Sequence, residues 1–115
     1  MRSRAVALLI VGAALAPSTA FAARVLLDST AYNMAFAQAI KDKNAEYAKV
    51  GGTWLAPEVS CRRKASTWMV CHNTIGQSVT SAHASHIVCK RTVDVRLRSG
   101  RPAPVLTKRP MTCTS

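Results

Sequence analysis

The sequence predicts an α+β fold: one N-terminal amphipathic helix packed on a small antiparallel β-sheet, a meander stapled by disulfides. Three observations carry this. A run without Gly or Pro, Ala31 to Val50, ends at Gly51-Gly52; His86 to Arg98 alternates apolar and polar side chains; and four cysteines sit in a short chain that starts like an exported one.

The first residues have the form of a cleavable signal peptide. Arg2 and Arg4 precede an apolar run from Ala5 to Leu15, and Ala20-Phe21-Ala22 places small residues where a signal peptidase cuts, so cleavage is expected after Ala22. About a dozen apolar residues are too few for a membrane-spanning helix, which needs roughly 20, so no transmembrane anchor is expected. The organisation read from the chain is a leader (1–22) and a single mature domain (23–115). That domain divides into a helix with its connector (23–58) and a basic, disulfide-bonded β region (59–115).

Asp28-Ser29-Thr30 offers three successive helix-capping residues, and Gly51-Gly52 supplies a left-handed stop. The apolar stripe is expected to run through Tyr32, Phe36, Ile40, Tyr47 and Val50, with Ala39 filling in. Lys43 interrupts it, which marks Lys41 to Asn44 as a place where the helix can break. Asp28 then reads as a cap, and Asp42 and Glu46 as members of the exposed face.

Thr53 to Pro57 is a connector. Thr67 to Cys71 has strand composition, and in the segment from His86 to Arg98 one side carries Ile87, Cys89, Val93, Val95 and Leu97. The other carries Val88, Lys90, Thr92, Asp94, Arg96 and Arg98. Ser99 to Pro102 is a turn signal, and Pro104 to Cys113 returns as an edge strand, because its prolines lack ladder donors. A hairpin turning about Arg101 sets Leu97 against Val105 and Cys89 against Cys113. A loop turning about Thr80 sets Cys71 against Cys89. Arg91 and Arg109 then fall on the apolar face, at its margin or through a register that is off by one.

Cys61, Cys71, Cys89 and Cys113 are spaced ten, eighteen and twenty-four residues apart, without the short paired spacing of a zinc site. In an exported chain they read as two disulfides. Cys61 with Cys71 and Cys89 with Cys113 is the first choice of pairing; Cys71 with Cys89 and Cys61 with Cys113 is the second.

The net charge is +11. From Arg24 to Glu58 four bases face four acids, and from Val59 onward ten bases face Asp94 alone. Such a density of one sign concentrates anionic partners. The expected function is that of a small exported, non-enzymatic binding protein, presenting Arg62, Arg63, Lys64, Lys90, Arg96, Arg98 and Arg101 to an acidic partner: an envelope polymer, a lipid headgroup or a protein. Trp68 is either an anchor among them or a half-buried strand residue. One alternative is an inhibitor or envelope subunit recognised by shape. Another is a metal protein built on His72, His83 and His86, whose H-x2-H spacing lacks a carboxylate or thiolate partner. No cofactor motif is present, and no nucleophile motif joins the serines, histidines and Asp94 into a triad. Specific nucleic-acid recognition is not expected, since the basic half has one Trp and no basic helix.

Overall fold

The computed structural model describes residues 24–79 and 86–115; the expected leader and His83 lie outside them. Helix α1 spans Asp28–Val50 without interruption. Leu27 occupies the position before it and no side chain caps it, so Asp28, Ser29 and Thr30 lie within the first turn. There the Asp28 carboxylate is favourably placed in the field of the helix N-terminus. At the other end Gly51 adopts φ 67° and its N–H donates to the Tyr47 carbonyl at 2.7 Å, the left-handed stop its lack of a Cβ permits.

The helix buries a different stripe from the one expected. Ala31, Ala35, Ala39, Asp42 and Glu46 face the sheet, whereas Tyr32, Tyr47 and Val50 are exposed. Phe36 and Ile40 are half-buried on the shoulder, with the Phe36 ring stacked on Tyr32 at a centroid distance of 6.1 Å. Spacing alone allows either stripe, and the sheet decides between them. Alanines let the helix lie close to the strands, so the bulk of the core comes from the sheet side: Met69, Cys71, Val93 and Val95, with Leu26 ahead of the helix. A second cluster gathers Ala39, Ile75 and Cys89 beneath Trp54 and Ile87. The polar run that suggested a break is continuous helix because Asp42 points inward to a partner on the sheet.

Five antiparallel strands follow: β1 (Glu58–Ala65), β2 (Trp68–Gly76), β3 (Val88–Arg96), β4 (Val105–Lys108) and β5 (Thr112–Thr114). The order is β1-β2-β3-β4, with β5 also pairing β3 beyond β4. Two registers differ from expectation. Cys71 lies opposite Val93, and it is Ile75 that faces Cys89, so the pairing is centred two residues beyond Thr80 and continues to Gly76 opposite Val88. Along the other edge Arg96 faces Val105 and Val93 faces Lys108, yet Cys89 still faces Cys113. One extra residue is therefore accommodated between Lys108 and Thr112, around Pro110, which cannot donate to a ladder. This shift turns β4 over. Leu106 packs on the core, and Arg109 is delivered to the outer face.

The inner sheet face carries both disulfides, Cys61–Cys71 and Cys89–Cys113, each joining residues directly opposite on neighbouring strands. Each contributes about 3 kcal/mol by the loop-closure argument, a large share for a small domain. Asn73 shares this face and donates to the Ala35 carbonyl at 2.9 Å, pinning the helix laterally. No helix among the described residues is long and apolar enough to cross a membrane.

Candidate functional site

Four of the five carboxylates are paired within the fold, and three of them are buried. Asp28 takes Arg63, which also donates to the Leu26 carbonyl and so ties the start of α1 to β1. Asp42 receives Arg91 at 2.8 and 3.2 Å and Gln38 at 3.0 Å. Glu46 pairs with Lys49 at 2.9 Å. Asp94 accepts from Arg109 at 3.0 and 3.2 Å and from the Trp68 indole N–H at 2.9 Å. The Arg109 hydrogen bonds hold the Asp94 carboxyl below its ordinary value, with the Trp68 bond and the charge of Arg96 adding to the effect against the cost of burial. Glu58 is the one acid that makes no ion pair within the described residues.

The outer sheet face is the side away from α1. The β2–β3 register sets His72 against Thr92 and Thr74 against Lys90, while Thr112 of β5 lies opposite Lys90 from the other side. These side chains, with Arg109 and Pro110, line an open groove of about 540 Å³. The His72 Nδ1 and Thr92 Oγ1 atoms are hydrogen-bonded at 3.0 Å. Lys90 is exposed and makes no ion pair within the described residues. Arg109 uses Nε and Nη2 on Asp94, which leaves Nη1 for a second acceptor. An ammonium, part of a guanidinium and three threonine hydroxyls on one rigid surface form a donor set suited to phosphate, sulfate or carboxylate oxygens.

The expected binding residues are divided among several places. Lys90 lies in the groove. Arg62 stands on the outer face of β1 opposite Val70, and Lys64 occupies the irregular step between Arg63 and Ala65. Arg63 points to the inner side and is committed to the helix start. Arg96 lies 4.0 Å over the Trp68 ring, and since that ring also donates to Asp94, Trp68 is a half-buried strand residue. Arg98 and Arg101 extend past β3, where the Arg101 and Pro102 carbonyls accept from Arg24. Thr92 and Arg109 join the site without having been foreseen, and His72, considered only as a metal ligand, joins it too; seeing them together needs the β2–β3 register and the extra residue near Pro110.

His72 lies on the outer face, and His86 is half-buried just ahead of β3. Among the described residues the one grouping of metal-type side chains is Glu46 with Cys89 and Cys113, and both sulfurs belong to the disulfide. Comparison of the chain with known protein families, curated proteins and solved structures finds no match.

Proposed function

We propose that the protein is an exported, non-enzymatic binding module that holds an acidic partner on its basic surface. The leader-like residues 1–22 and the two disulfides support export to an oxidising compartment. The observation that carries the binding reading is the division of charge. Four of the five acids are paired within the fold, while Lys90 in the groove, Arg62 and Lys64 along β1, and Arg98 and Arg101 beyond the far end of β3 make no ion pair within the described residues. A surface of this kind, held rigid by disulfides, loses little entropy when an anionic chain or headgroup settles on it.

The test is retention of the oxidised protein on immobilised poly-L-glutamate and heparin as salt is raised, with Arg62→Glu/Lys90→Glu as the variant. Expected are a steep fall in affinity with ionic strength and about a tenfold or greater loss in the variant. Retention that ignores salt, or a variant that binds as the parent does, overturns the reading and favours a partner recognised by shape.

A further inference from the structure

The two edges of the sheet are built in opposite ways. On one side β4 has four residues and β5 three, Pro110 lies between them, and Pro102 and Pro104 precede them. Short, interrupted, proline-flanked strands are a standard defence against strand addition. On the other side β1 is eight residues long, contains neither Pro nor Gly, and among the described residues pairs with β2 alone. Its register is continuous from Glu58 to Arg63, so one unbroken row of backbone N–H and C=O groups faces outward. Only charge guards it: Arg62, Arg63 and Lys64 against Glu58.

We propose that this β1 edge is a docking site for an extended acidic peptide, which adds to the sheet as a further antiparallel or parallel strand. The inference rests on the binding reading above and names the class of partner. Backbone pairing would supply the attachment and side-chain alternation the selectivity. On the outer face the added strand would lie beside Ser60 and Arg62, where a carboxylate finds a base without an ion-pair partner. On the inner face it would lie beside Val59 and Cys61, both half-buried against the core, where a small apolar side chain fits. The preferred segment therefore alternates acid and apolar residues.

Two features prepare the edge for this role. The Cys61–Cys71 disulfide clamps β1 to β2 in the middle of the strand, so a docked peptide cannot peel β1 away. Arg63 fixes the far end to the start of α1. Arg62 and Lys64, which make no ion pair within the described residues, oppose pairing with a second copy of the chain, as does the overall positive charge. The edge is thus closed to itself and open to an acidic strand.

The experiment uses the oxidised protein and a blocked eight-residue peptide of alternating Glu and Val. Two analogues are N-methylated at every second amide, one in each register. Binding is read by calorimetry, and the contact is mapped by amide hydrogen exchange. Expected are binding of the parent peptide, about a tenfold or greater loss on N-methylation in one register with little change in the other, and new protection of amides between Val59 and Arg63. Equal binding of all three peptides, or protection confined to the Lys90–Thr92 groove, overturns the edge proposal and leaves the basic-surface reading standing. Failure of both the peptide and poly-L-glutamate to bind removes both. Self-association through β1, seen by light scattering, overturns the proposal by naming a second copy as occupant.

Discussion

Replacing Asp42 with alanine removes the carboxylate that meets Arg91 where α1 crosses the sheet. The Asp42 side chain is 9% exposed and that of Arg91 16%, so both charges sit largely out of water. With Asp42 gone, Arg91 keeps only the Arg109 carbonyl at 2.8 Å. Removing one partner from such a pair costs about 3–5 kcal/mol, because the remaining charge is left buried without compensation. In a domain of this size 1 kcal/mol shifts the melting temperature by about 4–8 °C, so the expected drop is at least about 12 °C. An Asp42→Leu/Arg91→Met double variant replaces both charges by apolar groups, and its stability is expected to return to within about 1 kcal/mol of the parent or exceed it. The assay is guanidinium unfolding of the oxidised protein for the parent, Asp42→Ala, the Asp42→Leu and Arg91→Met singles and their double, the last three analysed with the parent as a cycle. A single-variant loss under about 1 kcal/mol would show that the pair is not buried as described. A double variant as unstable as the sum of the singles would show that the two residues do not act on one another.

Three further outcomes follow from the same packing. Ala35→Leu forces volume between helix and sheet and is expected to cost about 1–3 kcal/mol, whereas Tyr32→Ala, on the exposed shoulder, stays within about 0.5 kcal/mol; thermal melts of both compare the two stripes directly. The Asp94 carboxyl is depressed below its ordinary value of 3.8, so its contribution is complete above that pH and is lost as pH falls through the depressed value; Asp94→Asn should flatten stability-against-pH curves in that acidic window and leave the shape above it unchanged. On limited reduction followed by alkylation, Cys113 should be labelled first, since it is exposed while Cys71 is fully buried and Cys61 half-buried; peptide mapping that finds Cys61 and Cys71 labelled first would contradict this.

What could be read ahead of the structure, and what could not, follows from the range of the interactions involved. Alternation in β3 is local and dense, so it placed Cys89, Val93 and Val95 inward and Lys90 outward, and it made the Cys89–Cys113 pairing a natural choice. The helix stripe was misplaced because large side chains were taken as the buried ones. Against a sheet face already filled by methionine, valine and two disulfides, the small residues are the ones that fit. Asp42 and Glu46 were assigned to water because charge usually goes there; their burial depends on Arg91 and Lys49, and Arg91 is 49 residues further along. Arg63 could have been separated from Arg62 by alternation alone, since Cys61 points inward and every second residue follows it. The groove was the hardest feature. His72, Thr92 and Arg109 meet only once the β2–β3 register and one extra residue near Pro110 are set; the proline marks an interruption but not its effect on which face Arg109 takes.

The pairing of most acids within the fold, beside many bases that make no ion pair, also bears on how this protein can change over generations. Arg62, Lys64, Lys90, Arg98, Arg101 and Lys108 make no ion pair within the described residues, so each can be exchanged at little cost to folding. Asp28, Asp42 and Asp94 have less freedom, because each fastens a particular arginine. Surface charge is therefore a trait that selection can raise, lower or relocate residue by residue, while the scaffold beneath is held by a small, nearly immutable set of contacts.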